Sequence, residues 1–398
     1  MKGLVLEGGG AKGSYQIGAY KALRDLGMEF QGVCGTSIGA LNGAYIVQDD
    51  IDVIEEIWTK YDYTSFMNIE EKLYEQYKDL DFTPKNINHV IKLINKAIKN
   101  EGIDISPLKK LLKETLDEDK IRNSNKDFAF LAVSWNKKFN PHPMYIEDIE
   151  KGRLVEYLIT SANLPIFKID KLDDTIYLDG MFSENIPVSL LEEKGYKDLV
   201  VIRLLDDFLG KMSLNKYKDL NIKTIVPSES LGGCLNKDSE HAKKNIKLGY
   251  LDTMKSYKRY EGVDYYFEAD YKFDEDYCFN KIKSLNEETI KIILEIFNLK
   301  NDATLRTLLE IIVPKCGEIL GLKPEFTYKD LFYKIYERKL QENKLNRIVL
   351  YDFNKVVELI HKNINNSNVN LSNIKGFKKD KIITLLTNTL ILDFKNNM

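Results

Sequence analysis

The chain has 398 residues, 43% of them hydrophobic and 30% charged, with a formal net charge of −3. That length accommodates one large core with an appendage, or two domains, and the near-neutral balance gives no overall attraction to nucleic acid, which is not an expected partner. No apolar run approaches the roughly 18 residues of a membrane-spanning helix, so no transmembrane segment is expected.

Lys2 to Glu7 reads as a strand that enters a glycine turn directly, leaving no room for a charged leader and a removable apolar segment. Cytoplasmic residence, extending to the periphery of membranes, is the expectation. The turn lies in "LEGGGAKGSYQIG" (6–18) and opens a helix of about sixteen residues with Tyr15, Ala19, Ala22 and Leu26 on its apolar face. Then "FQGVCGTSIGALNGAY" repeats the theme: a short strand ending at Cys34, a glycine-flanked turn, and a small-residue helix from about Ile38. Two strand-turn-helix units in succession predict a parallel α/β sheet with function at the carboxyl ends of its strands.

Residues 50 to 125 are mainly helical in pattern and rich in charge, and they interrupt the strand rhythm as an insertion. Within it "ISPLKKLLKETL" carries a helix start, with Ser106 as the cap and Pro107 in the first turn. The insertion reads either as a lid or lipid-contact surface, or as structural padding. The sheet resumes with "FAFLAVSW" (128–135), a helix over Leu154 to Ala162, the segment "TIYLDGMFSENIP" and the strand "DLVVIRLL". Residues 247 to 272 mix tyrosines with Lys and Arg, which fits a lipid-facing surface less often than core-packed elements with solvated lysines. From about Leu285 the pattern is helical and reads as a separate module, in which the asparagine-rich stretch 363–373 is expected to be a loop. Cys34, Cys234, Cys278 and Cys316 have wide, irregular spacing and read as reduced core residues without a disulfide or metal role.

Bare backbone at the mouth of a helix points amides at something negative, either a bound phosphate or an oxyanion formed during a reaction. Gly8, Gly10 and Gly13 fit G-x-G-x-x-G, the spacing of a dinucleotide site, while no Gly-Lys-[Ser/Thr] follows to make a Walker loop. Gly35-Thr36-Ser37-Ile38-Gly39 shifts the weight toward the oxyanion. A serine between glycines on a strand-to-helix turn reads as a nucleophile elbow, with a simple helix cap at Ser37 as the lesser alternative. Serine needs a base within hydrogen-bond reach. His89 and His361 lie on helical patterns, His142 sits between prolines, and His241 lies in a strongly polar stretch. Asp179, at the end of an apolar strand and followed by Gly180, is the alternative, provided that the site raises its pKa from about 3.9 through burial or braces the carboxylate geometrically. Amides of Gly9, Gly10 and their neighbours would then hold the oxyanion, each worth about 3 kcal/mol of barrier.

Gly8-Gly9-Gly10-Ala11-Lys12-Gly13, Gly35-Thr36-Ser37-Ile38-Gly39 and Asp179-Gly180 followed by Asn185-Ile186-Pro187 together resemble the patatin-like phospholipases in content, order and spacing. "ITSANLPIF" (159–167) and "GYLDTMK" (249–255) are similar to segments of that family as well. The resemblance covers roughly residues 1 to 270. It implies a three-layer α/β/α fold and a Ser-Asp dyad without histidine, hydrolysing acyl esters of phospholipids or other lipids with neither metal nor cofactor. Ser37 would be the nucleophile and Asp179 the base, with Gly35 and Gly39 shaping the elbow and Gly8, Gly9, Gly10, Ala11 and Lys12 forming the oxyanion region. Lys12 would supply its backbone amide and a solvated or phosphate-facing ammonium. Met181 departs from the glycine or alanine usual two residues after the aspartate, and would either reorient Asp179 or fill the acyl pocket. On this reading residues 1–274 form the hydrolase domain and 275–398 a helical region of open role. The rival expectations are a lipid- or protein-binding regulator with a degenerate site, and a dinucleotide-binding oxidoreductase.

Overall fold

Leu4, Val5 and Leu6 are all buried in β1 (Lys2–Leu6), an unbroken apolar run characteristic of a strand covered on both faces. The protein is represented by a computed structural model, which describes residues 1–78, 87–99, 102–236, 238–365 and 379–396. It divides into two compact units, Met1–Met254 and Lys255–Met398. Among the described residues no helix is long and apolar enough to cross a membrane.

In the first unit β1 is followed by a 3₁₀ turn (Gly10–Gly13) and α1 (Ser14–Asp25), so the sixteen-residue helical stretch is two helix types in series. Then come β2 (Gly32–Thr36), α2 (Ile38–Val47) and α3 (Ile51–Lys60). The insertion continues with α4 (Glu71–Tyr77), α5 (Ile87–Ile98), α6 (Ser106–Thr115) and α7 (Glu118–Arg122). After it lie β3 (Asp127–Trp135), β4 (Phe139–Tyr145), α8 (Leu154–Ser161), β5 (Tyr177–Asp179), α9 (Val188–Glu193), β6 (Asp198–Ile202), α10 (Phe208–Leu214) and β7 (Asn221–Ile225). The seven strands run in the order β4-β3-β2-β1-β6-β7, with β5 paired to β3. Neighbours from β3 to β7 along this order are parallel, whereas β4 and β5 are antiparallel to β3.

One face of the sheet, through Val5, Cys34, Ala129 and Leu131, packs on Val188, Leu190 and Leu191 of α9. The other receives α2, where Gly43 lies against Val33 and Phe128. The result is an α/β/α sandwich with a mixed, mostly parallel sheet. Two local expectations change. The strand β4 carries His142 between two prolines, which removes ladder donors and hides it from a period-two reading. Ser106 is the first helical residue of α6 and not its cap; Ile105 holds that position, and Asp104 accepts from both the amide and the hydroxyl of Ser106 at 2.9 and 2.8 Å.

The second unit combines a three-stranded sheet of Tyr260–Glu261, Tyr266–Glu268 and Leu350–Tyr351 with helices that include Glu275–Lys283, Glu287–Ile296, Tyr328–Glu342, Phe353–Asn363 and Lys379–Asn396. Its core is aromatic: Phe353 packs on Phe267, Phe273, Phe332 and Tyr333. Glu337 is buried within this unit and accepts the amides of Val263, Asp264 and Tyr265, which fixes the turn leading into the second strand. Most of the asparagine-rich stretch 363–373 lies outside the described residues.

Candidate active site

The register of β3 brings Ser37 and Asp179 together. Thr36, the last residue of β2, pairs with Leu131. Asp179, the last of β5, pairs with the next residue, Ala132. Because β4 occupies the other flank of β3 along its whole length from Ala129 to Trp135, β5 takes the same flank as β2, antiparallel to it, beyond the point where β2 stops. The two strands therefore meet end to end. Ser37 Oγ donates to Asp179 Oδ2 at 2.5 Å across 142 positions of sequence.

Ser37 itself has φ 57° and ψ −126°, a conformation that L residues rarely adopt and that is retained here between β2 and α2. It does not cap α2 through its side chain. The flanking glycines are steric requirements: a Cβ on Gly35 would lie 2.3 Å from the carbonyl of Gly39, and one on Gly39 would lie 2.4 Å from the carbonyl of Leu6. The amide of Ser37 donates to Ser161 Oγ at 2.9 Å, and that hydroxyl in turn donates to Leu131 O at 2.6 Å.

Asp179 is fully buried. Burial pushes its carboxyl from 3.8 up to about 7, against the opposing pull of the Ser37 hydroxyl and the Met181 amide, which reaches Oδ1 at 2.9 Å. A carboxylate titrating near neutrality is matched to general-base work, unlike an ordinary one. Met181 thus holds Asp179 through its backbone while its side chain lines the neighbouring cavity.

That cavity has a volume of about 130 Å³. Gly8, Gly9, Gly10, Lys12 and Ser37 form its polar end. The rest is largely apolar and comes in large part from the insertion, through Ile54, Ile57 and Trp58 of α3 and Leu108, Leu111 and Leu112 of α6. The insertion is anchored on α2: Trp58 Nε1 donates to Asn42 Oδ1 at 3.3 Å, and Gln48 Nε2 donates to Thr115 O at 3.1 Å. In the glycine turn, Gly8 N donates to Asn185 O (3.1 Å), Ala11 N to Cys234 O (2.7 Å) and Lys12 N to Gly9 O (3.3 Å). Among the described residues no acceptor is paired with the amides of Gly9 or Gly10. Gly10 has φ +58°, and a Cβ there would lie 2.3 Å from Cys234 O. The Lys12 side chain is buried at the cavity wall and not solvated.

Residues 4–191 match the family model of the patatin-like phospholipases. Through this stretch, just under half of its length, the chain carries a patatin-like phospholipase domain. Over 47 residues (12% of this chain, 3% of the relative) it is 53% identical to lysophospholipase nte1 of Aspergillus terreus. Over 201 residues (50% and 13%) it is 26% identical to patatin-like phospholipase domain-containing protein ZK370.4 of Caenorhabditis elegans. The chain thus matches only a small part of the length of these relatives. VipD from Legionella pneumophila, a solved structure, aligns with a TM-score of 0.42 and 14% identity over 97% of this chain and 90% of that one.

In the patatin-like domain none of the cavity-lining residues is a histidine. His241 is half-buried, with Nε2 3.0 Å from Leu231 O, and His142 packs its ring against Tyr177. His361 lies in the second unit, 2.8 Å from the Tyr336 hydroxyl, and the side chain of His89 is outside the described residues. Three of the four cysteines are buried free thiols and Cys234 is half-buried beside Gly10.

Two supporting groups escape a reading by motif. Asn163 clamps β5 at both ends, donating Nδ2 to Tyr177 O and accepting Asp179 N at its own carbonyl, each at 2.9 Å. Glu7 ends β1 directly beneath the glycines, where it is buried, accepts the amides of Leu204 and Leu205, and lies 3.6 Å from the guanidinium of the buried Arg203. Burial carries its carboxyl up to about 7 despite the Arg203 charge. An acidic residue that closes an apolar strand just before a glycine triplet is the available sequence signal for Glu7; Asn163 has none outside the family motif.

Proposed function

We propose that this protein is a serine acyl hydrolase that cleaves fatty-acyl esters of phospholipids or related lipids, with Ser37 as nucleophile and Asp179 as base. The observation that carries the reading is the hydrogen bond from Ser37 Oγ to a buried carboxylate that titrates near neutrality, at the polar end of an apolar cavity. Asp179 takes the hydroxyl proton as Oγ bonds to the ester carbonyl carbon, and the carbonyl oxygen becomes an anion. The amides of Gly9 and Gly10, which lack partners among the described residues, receive that charge. This narrows the oxyanion donors from the five residues 8–12, because the other three amides are already donated. Collapse of the adduct expels the alcohol, which leaves with the proton held by Asp179. Water then gives its proton to Asp179, attacks the acyl carbon and frees the fatty acid, and Ser37 recovers its proton.

The apolar walls from α3 and α6 give the insertion the role of an acyl-chain binding surface. The relatives, a lysophospholipase among them, support lipid esters as substrate class. The dinucleotide alternative loses ground because the Ala11 amide that would face a pyrophosphate is donated to Cys234 O. A chromogenic short-chain ester, assayed with wild type, Ser37→Ala, Asp179→Asn and His241→Ala, tests the assignment. Loss in the first two variants alone supports the dyad. Loss with His241→Ala, or retention by Ser37→Ala, refutes it.

A further inference from the structure

The connection from β6 into α10 exposes more apolar surface than its surroundings account for. Leu205, Phe208, Leu209 and Met212 are 39%, 72%, 65% and 54% exposed. Phe208 and Met212 are one helical turn apart and Leu209 lies three residues before Met212, so the three share one face of α10. Single exposed apolar residues need no explanation, but a contiguous group does.

This exposure is held in place by polar contacts that involve the buried Glu7 and Arg203 and the partly exposed Asp207. Asp207 caps α10 by accepting from Gly210 N at 2.9 Å and also receives Arg203 Nη2 at 2.5 Å. Glu7 fixes the preceding amides of Leu204 and Leu205. A Cβ on Gly210 would fall 1.7 Å from Arg203 Nη2, so the guanidinium fits beneath the helix only because that position is glycine. The face is also continuous with the cavity. Leu205 lines the cavity that contains Ser37, and β2 and β6 are both parallel to β1, so their carboxyl ends open on one edge of the sheet.

We propose that Phe208, Leu209 and Met212 insert into the surface of a phospholipid bilayer and set the cavity mouth against its acyl chains. The proposal rests on the acyl-hydrolase reading for the identity of the substrate, while the surface is argued from its own exposure and anchoring. Three side chains on a helix of under two turns give a patch of a few hundred Å², well short of the roughly 800 Å² per partner of a stable protein interface. The adjoining cations are already paired, Lys211 with Asp206 at 2.7 Å and Lys216 with Glu184 at 3.2 Å. Attachment therefore comes from apolar insertion, and it depends little on salt or on anionic lipid.

The test is co-sedimentation of the full chain with phosphatidylcholine vesicles, comparing wild type with the triple variant Phe208→Ser/Leu209→Ser/Met212→Ser. Each side chain withdrawn from lipid lowers the partition coefficient about tenfold, so the triple variant should lose about a thousandfold. A second variant, Phe208→Trp, should show blue-shifted emission on vesicle addition and quenching by brominated acyl chains. Unchanged partitioning of the triple variant, or a tryptophan at 208 that vesicles neither shift nor quench, overturns the proposal. Absence of wild-type partitioning also overturns it, and leaves a protein partner as the occupant. Ser37→Ala should partition like wild type. Partitioning by a wild type that turns over no ester removes the hydrolase reading and leaves the surface standing; ester turnover with partitioning indifferent to the triple variant does the reverse.

Discussion

Replacing Asp179 by asparagine should cut turnover by about 10²–10⁴ while making the protein more stable, by an amount that grows with pH. The carboxyl titrates at 3.8 in water and at about 7 in the folded chain. Below pH 4 the proton is bound in both states and the group contributes no difference. Between pH 4 and 7 the unfolded chain has released the proton that the folded chain keeps, so stability contributed by this group falls as pH rises, at up to about 1.4 kcal/mol per pH unit. Above pH 7 the penalty is constant at about 4 kcal/mol. Asparagine does not titrate, can accept the Met181 amide through Oδ1, and can donate to Ser37 Oγ through its amide. The gain at pH 8 should therefore reach about 2–4 kcal/mol and vanish near pH 4. Urea denaturation of both proteins at fixed ionic strength from pH 4 to 8 reads it directly. Glu7, displaced in the same direction, is common to both chains and cancels in the difference. The same ionisation sets an acid limb on wild-type kcat/KM, about a tenfold rise from pH 6 to pH 8, while the variant loses about 10²–10⁴ in rate. A variant no more stable than wild type at pH 8, or a gain indifferent to pH, would refute the claim that burial holds this carboxyl near neutrality.

Ser161→Ala strands the buried Ser37 amide and should cost about 1–3 kcal/mol in denaturation experiments, with a fall in kcat that Ser161→Thr partly restores. Gly10→Ala forces a Cβ onto Cys234 O at a positive φ and displaces an amide proposed as an oxyanion donor; kcat should drop about a hundredfold, measured on a soluble ester, with little change in KM. Leu111→Trp fills the apolar cavity and should shift preference toward shorter acyl chains in a p-nitrophenyl ester series, with C4 turnover less affected than C12. Burial raises the thiols of Cys34, Cys278 and Cys316, the last two to about 12, so aromatic disulfide reagents should titrate Cys234 first in the native protein and block ester turnover as they do.

The sheet and the Ser37–Asp179 contact were legible because the constraints that create them are local. A strand that must be buried on both faces is an apolar run, and a backbone that must turn sharply shows its glycines, so β1, β2, Ser37 and Asp179 stand out in the linear chain. What escaped is non-local. The antiparallel strand β4 is masked by Pro141 and Pro143, whose missing N–H groups are tolerated at the sheet edge where β4 lies. The division of the glycine-turn amides depends on carbonyls at Asn185 and Cys234, more than 170 and 220 positions away, and no spacing rule carries that information. Lys12, expected to present a solvated or phosphate-facing ammonium, is buried at the cavity wall.

The way the proposed dyad is built makes it depend on strand register more than on either loop. Because β2 and β5 share one flank of β3, the distance from Ser37 to Asp179 is set by two pairings, Thr36 with Leu131 and Asp179 with Ala132. A slip of β5 by one residue would turn Asp179 to the opposite face of the sheet and present Leu178 or Gly180 in its place. A three-residue strand has few ladder bonds of its own to resist that slip. Asn163 supplies the resistance by binding the carbonyl of Tyr177 and the amide of Asp179 together, and Gly180 permits the tight exit, since a Cβ there would lie 2.3 Å from Leu131 O. The hydroxyl of Ser161 meanwhile joins Leu131 O to Ser37 N. The segment from Ser161 to Asn163 thus ties Ser37 to Leu131 of β3 at one end and clamps β5 beside Asp179 at the other. A buried carboxylate with a raised pKa and a serine at a strained φ are each unfavourable alone, and this brace is what keeps the two in contact.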